Sequence, residues 1–231
     1  MQKQQDQRPE KLYPDREDIL DSFWRSRMQV QDRYVSVRYH QNNRLEYDCA
    51  LIQKYCGKDT RVLDLGCGTG LIEERLAPQV ATIHAVDKYP QFLEKAIRAD
   101  NVEYIIGEAA SFFRGKESYD LILSFGVVFY LSDEELIKML RNCLDMLAPG
   151  GTIIIKGQWG LQQRKVIHKY SEELKSMYYA DYRQVDDMRR LCMENGAAVE
   201  VVDLYPPEMN RWPDTHDYAF ILKKKSGAPI L

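Results

Sequence analysis

The sequence predicts an α/β fold built on one doubly wound sheet with helices on both faces, and three observations carry that prediction. Strand-like apolar segments alternate with amphipathic ones between residues 61 and 156, which means βαβ units with right-handed crossovers. Two of the strand-like runs, LILSF and TIIIK, are nearly continuous in apolar residues, as strands covered on both faces are. Between the first strand and the first helix lies VLDLGCGTGLIEERL, residues 62–76, with three glycines in five positions.

The elements follow in order. Residues 1–17 are rich in Gln and charge and read as a flexible polar leader. Residues 18–57 read as an N-terminal helical cap, with Ile19, Phe23, Trp24 and Met28 at three- and four-residue spacing. Residues 58–231 form the main domain. Its strands are expected at 61–65, 81–86, 102–106, 119–125, 152–156, 198–204 and 218–223, seven in all. Helices are expected at 71–76, 90–98, 132–147 and 184–195, with a short one at 111–113. Ser132-Asp133-Glu134-Glu135 opens one helix as a capping box, and Gly196 closes another. Residues 157–183, rich in aromatics and charge, read as an inserted helical segment after the fifth strand.

Composition narrows the function. A chain of 231 residues with 45% hydrophobic residues has room for one medium domain with a full core. A formal net charge of −3, with no strong basic patch, argues against nucleic acid as the main partner. Lys223-Lys224-Lys225 ends a strand and reads as its solvated tip. The five cysteines form no C-x-x-C pair and are odd in number, which disfavours a zinc site or a disulfide framework and fits a reducing compartment. The start carries no apolar signal core and no run approaches a membrane span, so the expected location is the cytoplasm. Oligomeric state is not legible in the sequence.

The glycine loop must meet a ligand at the carboxyl end of its strand. A phosphate loop needs Gly-Lys-Ser/Thr, yet Gly70 is followed by Leu71-Ile72. A dinucleotide fingerprint needs its third glycine where Leu71 stands. Asp64, directly ahead of the loop, repels a pyrophosphate and suits a cationic centre. S-adenosylmethionine, with a sulfonium, an ammonium and no phosphate, is such a ligand. VLDLGCGTG, HAVDKY (84–89), IIGEAASF (105–112), YDLILSFGVVFYL (119–131) and LAPGGTIIIKG (147–157) resemble, in order, the motifs of class I S-adenosylmethionine-dependent methyltransferases. With the two trailing strands, the resemblance covers about three quarters of the chain.

The resemblance implies a seven-stranded, mostly parallel sheet whose last strand is antiparallel, and S-adenosylmethionine as methyl donor. It implies donor contacts from Asp64 to the ammonium, from Gly66, Cys67, Gly68 and Gly70 to the methionine portion, and from Asp87 to the ribose hydroxyls. Lys88 or Tyr89 would cover the adenine, Glu108-Ala109 would read its amino edge, Ser124 would present carbonyls near the sulfonium, and Arg38 would hold the carboxylate. Glu108 reads equally well as an exposed helix start.

The acceptor is less legible. Ser124-Phe125-Gly126-Val127 replaces the Pro-Pro-Tyr signature of planar-amine methylation, and Asp100-Asn101 lies at the wrong end of the sheet for a metal site, so no metal is expected. Tyr34, Arg38, Tyr39, His40, Tyr130, His168, Arg211, Trp212 and His216 are expected to converge on one cavity, with Glu208 and Asn210 beside them. His168, His216 and Tyr130 are the catalytic candidates; Tyr34, Tyr39, Arg211 and Trp212 are the substrate contacts. The expected reaction is methylation of a polar small molecule, at oxygen more than nitrogen, with a sugar or glycan of polysaccharide or natural-product biosynthesis in view. A protein methyltransferase and a non-catalytic S-adenosylmethionine-binding subunit are the alternatives.

Overall fold

The computed structural model describes residues 13–39, 43–115 and 117–225. His40 and residues 1–12 of the expected leader lie outside them. The strands are β1 (Arg61–Leu65), β2 (Thr82–Asp87), β3 (Val102–Ile106), β4 (Tyr119–Phe125), β5 (Leu147–Gly160), β6 (Lys165–Ser171), β7 (Ser176–Tyr182), β8 (Ala197–Asp203) and β9 (Thr215–Lys224). Seven of them form one sheet in the order β3-β2-β1-β4-β5-β9-β8. β1 to β5 pair in parallel, and β9, the last strand in sequence, runs antiparallel to both β5 and β8. Strand order reverses between β1 and β4, and that switch point opens a crevice at the carboxyl ends of the strands.

The described helices are α1 (Arg16–Met28), α2 (Arg33–Ser36), α3 (Arg44–Ile52), α4 (Leu71–Leu76), α5 (Pro90–Glu94), α6 (Asp133–Met146) and α7 (Val185–Glu194). Each sheet face has its own core. On one, Leu136, Met139, Leu140 and Cys143 of α6 and Met188 and Cys192 of α7 pack against Ile122, Ile153, Ile155 and Phe220. On the other, Leu45, Cys49 and Ile52 of α3 and Leu71, Ile72 and Leu76 of α4 pack against Val62, Leu121, Leu123 and Ile154. The alternation of Ile122 and Leu123 between these cores is the two-residue period of a strand covered on both sides. The capping box forms as expected: Ser132 Oγ accepts from the Glu135 N–H at 3.1 Å, and the Ser132 N–H donates to Glu135 Oε2 at 2.7 Å. No described helix is long and apolar enough to cross a membrane.

The segment after the fifth strand departs from expectation. β5 runs 14 residues, to Gly160, and residues 165–182 form the antiparallel hairpin β6–β7 rather than helices. The reason lies in the residues: Val166, Ile167, Tyr170, Tyr178, Tyr179 and Tyr182 are β-branched or aromatic and favour pleated, half-buried surfaces. Tyr178, Ala180 and Tyr182 bury their common strand face with Phe23 of α1, and Trp24, Phe129, Tyr130, Ile167 and Leu174 pack around them. α1 begins at Arg16, inside the stretch read as leader. Residues 95–98 and 111–113 are not helical.

Arg183, at the end of the hairpin, holds the loop that follows β4. Its guanidinium donates to the carbonyls of Val128 at 2.9 Å and Leu131 at 2.8 Å, and to Asp133 Oδ1 at 2.8 Å. The side chain is 5% exposed, so removing it strips the Val128 and Leu131 carbonyls of their donor, while Asp133 keeps its pair with Arg164. Arg183→Met is expected to lower unfolding stability by about 2–4 kcal/mol in urea melts. Arg190→Met, which breaks an exposed pair with Asp187, is expected to change it by less than about 0.5 kcal/mol.

Candidate active site

The loop 66–70 leaves β1 and turns back over the end of β2. The N–H groups of Gly66 and Cys67 donate to the Val86 carbonyl at 2.7 and 3.0 Å. The Gly68 N–H donates to Asp87 Oδ2 at 2.9 Å, and the Tyr89 N–H donates to Asp87 Oδ1 at 2.9 Å. Gly66 (φ +92°) and Gly68 (φ +57°) sit in left-handed backbone; a Cβ at Gly66 would stand 2.2 Å from Val127 Cγ2, and one at Gly68 2.7 Å from Val37 Cγ1. The loop is therefore pressed between the turn after β4 and the segment after α2. Arg33 ties that segment down, donating to the Thr69 carbonyl at 2.9 Å and pairing with Glu74 at 3.0 Å.

Beside this loop lies a cavity of about 690 Å³, within the range of small-molecule sites. Asp64, Gly66, Cys67, Gly68, Asp87, Lys88, Glu108, Ala109, Arg38, Tyr39, Tyr130, Arg211 and Trp212 all line it. Lys88 and Glu108 pair at 3.1 Å, and Trp212 is 52% exposed. Among the described residues, no three His, Cys, Asp or Glu side chains converge as metal ligands would.

Five expected residues lie elsewhere. Gly70 caps α4 and faces Tyr104 and Ala96. Ser124 is buried with its hydroxyl 3.9 Å from Met139 Sδ, on the α6 side of the sheet; Phe125, Gly126 and Val127 line the cavity instead. Tyr34 does not line it. His168 stacks on Tyr13 and meets Asp15 at 3.1 Å. His216 stacks on Tyr218 and meets Asp203 at 2.9 Å and Asn210 at 3.2 Å. Neither histidine reaches the cavity: the hairpin turns His168 toward the chain start, and β9 pairing turns His216 outward. Glu208 and Asn210 also stay off the lining.

Sequence reasoning missed two buried charge clusters. In the first, Asp48 on α3 is fully buried and accepts from Tyr39 Oη at 2.5 Å and Tyr205 Oη at 2.6 Å. Lys156 Nζ lies 3.1 Å from the same carboxylate, over the rings of Tyr39, Phe125 and Tyr205. Tyr39 and Lys156 face the cavity. Burial and the neighbouring Asp48 charge push the Tyr39 phenol well up. The available signals were a charge ending the apolar run TIIIK and an aspartate on the apolar face of RLEYDCALI.

The second cluster is Asp64 with Glu73 of α4, both about 1% exposed. Asp64 Oδ1 and both Glu73 oxygens have no partner other than each other's carboxyl. Burial pushes Asp64 up to about 6, with the Asp87 charge adding to the rise, and pushes Glu73 well above its usual range. Two buried carboxyls without a cation must share a proton, and Glu73 carries it. Glu73 was legible only as a charge on the apolar face of LIEERL.

Residues 62–151 match a family model described as a methyltransferase domain. The matched stretch runs from β1 through α6 and includes the glycine loop and Asp87. Among curated relatives, this chain is 30% identical to nodulation protein S of Rhizobium tropici over 103 residues, 42% of this chain and 43% of that protein. It is 30% identical to a ubiquinone biosynthesis O-methyltransferase of Parvibaculum lavamentivorans, over 42% of this chain and 40% of the relative. The chain thus spans about two-fifths of the length of these relatives. Its fold matches a Haemonchus contortus phosphoethanolamine N-methyltransferase, solved with phosphoethanolamine and S-adenosylhomocysteine. That match has a TM-score of 0.69 at 20% identity, over 93% of this chain and 50% of that one.

The Asp64–Glu73 pair gives a stability prediction with a definite sign. A carboxyl whose folded value is raised contributes stability below its unfolded value near 4 and loses it as pH rises through about 6. Asp64→Asn is therefore expected to be more stable than the wild type at neutral pH by about 2–3 kcal/mol. The difference should shrink toward zero as pH falls to about 4, read from denaturant midpoints at both pH values.

Proposed function

We propose that this methyltransferase moves a methyl group from S-adenosylmethionine to a polar small molecule, at oxygen in preference to nitrogen. A sugar or glycan of polysaccharide or natural-product biosynthesis is the acceptor class in view. The observation that carries the reading is the anionic, glycine-lined side of the cavity: Asp64 and Asp87 line it with Gly66 and Gly68, and among the described residues neither carboxylate has a cationic partner. A cationic, phosphate-free ligand fits there and a pyrophosphate does not.

The donor supplies an electrophilic methyl group on a sulfonium. The chain's own residues do the rest. Asp64 balances the ammonium. Asp87, whose oxygens each accept one backbone N–H, keeps lone pairs for the ribose hydroxyls. Gly66, Cys67 and Gly68 present backbone to the methionine portion. Lys88, Tyr89 and the 107–109 turn enclose the adenine.

A hydroxyl acceptor must shed its proton as the new bond forms. Tyr39 Oη, which already donates to Asp48, can accept that proton while passing its own to Asp48 Oδ2; Tyr130 stands on the same lining. Methyl transfer otherwise needs alignment more than chemistry. The O-methyltransferase among the relatives supports an oxygen acceptor. A non-catalytic partner subunit would leave the apolar face of the N-terminal helices for another protein, but Phe23 and Met28 are buried within this chain.

Asp87→Ala is expected to weaken S-adenosylhomocysteine binding at least about tenfold in calorimetric titration. An unchanged affinity would remove the ribose assignment. A turnover screen with labelled donor over hydroxylated and amine acceptors tests the oxygen preference.

A further inference from the structure

The other half of the cavity has the opposite electrostatic character. Arg38 and Arg27 both line it, and among the described residues neither has an acidic partner. Arg27 donates to the carbonyls of Ser36 and Val35, and burial followed by the Arg38 charge holds its guanidinium below the ordinary value. Arg38 donates to Tyr178 Oη at 3.1 Å and lies 5.4 Å from that ring's centre. Three carboxylates of the lining are paired with other arginines: Glu135 with Arg16 at 2.9 Å, Asp21 with Arg25 at 2.5 Å, and Glu173 with Arg211 at 3.4 Å.

Three phenols surround the Arg38 guanidinium. Tyr130 Oη lies 3.4 Å from Tyr178 Oη, and Tyr182 lines the same wall. Burial pushes Tyr130 and Tyr182 well above the usual phenol value, so both remain O–H donors. Arg38 also holds left-handed backbone, φ +67°, an uncommon and costly conformation for arginine. Two like charges beside a ring of donors, with no counter-charge, form an incomplete site for an oxyanion.

We propose that Arg38, Arg27 and the hydroxyls of Tyr130, Tyr178 and Tyr182 hold a phosphate or carboxylate carried by the methyl acceptor. The acceptor is then an anionic molecule, such as a phosphorylated sugar, anchored at the hairpin while its hydroxyl reaches the donor. This rests on the methyl-transfer reading above, and it moves Arg38 from the donor to the acceptor. The contacts support that move: although Val37 beside it packs on Gly68, the Arg38 guanidinium donates to a phenol of the hairpin and not to the glycine loop.

Calorimetric titration of inorganic phosphate and of S-adenosylhomocysteine, each into wild type, Arg38→Asn and Tyr178→Phe, tests the site. Asn tolerates the left-handed backbone at position 38, and Phe keeps the ring at 178, so both variants should fold. The expected result is saturable phosphate binding by the wild type, weakened at least about tenfold in Arg38→Asn and about threefold in Tyr178→Phe. S-adenosylhomocysteine affinity should stay within about threefold in both. Absence of saturable phosphate binding by the wild type, or phosphate binding unaffected by Arg38→Asn, overturns the proposal. So does a tenfold loss of S-adenosylhomocysteine affinity in Arg38→Asn, which would return the guanidinium to the donor's carboxylate. Phosphate binding through Arg38 in a protein that does not bind S-adenosylhomocysteine would sustain the oxyanion site and sink the methyl-transfer reading instead.

Discussion

The site depends on the clasp between the ends of β1 and β2. Val86 and Asp87 receive four backbone N–H bonds, from Gly66, Cys67, Gly68 and Tyr89, at 2.7–3.0 Å. Those bonds satisfy donors that a tight loop would otherwise bury unpaired, and they fix the Asp87 carboxylate at the mouth of the crevice. The glycines follow from the clasp. Only a residue without a Cβ can take the left-handed turns while Val127 and Val37 press from either side. The strand switch point supplies an opening, and the clasp decides what charge faces it.

The cavity then divides by sign. Toward the loop, three carboxyls crowd a space with no cation among them, and Glu73 stays protonated so that Asp64 can ionise near neutral pH. Toward the hairpin, two arginines lack a counter-charge. The loop side is costly when alone, because its buried carboxyls lose hydration without a cation, and on the hairpin side Arg38 and Arg27 repel one another. Under the proposed reading, a donor with a positive centre and an acceptor with a negative group would relieve both costs. The Lys156–Asp48 pair lies beside that junction, already neutralised and hydrogen-bonded. It shapes the wall through Tyr39 and Lys156.

How much of this was legible in the sequence follows the range of the interactions. The seven strands, the capping box of α6 and the glycine loop depend on neighbours within a few residues, and local pattern gave each within a residue or two, apart from the longer β5 and the earlier start of β9. Asp64 and Asp87 were legible because motif spacing ties them to strand ends. The hairpin was not, since the aromatic period of residues 165–182 fits a helix or a strand until Phe23 of α1 selects one face. The histidines failed for the same reason. Asp15 and Tyr13 claim His168 from 153 and 155 residues away in sequence, and Asp203 claims His216 across the β8–β9 edge. Lys156, Asp48 and Glu73 look like ordinary charges until the fold buries them together.

The central claim is that the glycine-loop half of the cavity selects a cationic, phosphate-free nucleoside ligand. Calorimetry of the wild-type protein at a pH well above 6, where Asp64 is ionised, measures this directly by titrating S-adenosylmethionine and ATP in parallel. The account predicts saturable binding of about one equivalent of S-adenosylmethionine and no saturable binding of ATP. ATP binding as tight as, or tighter than, S-adenosylmethionine binding would contradict it.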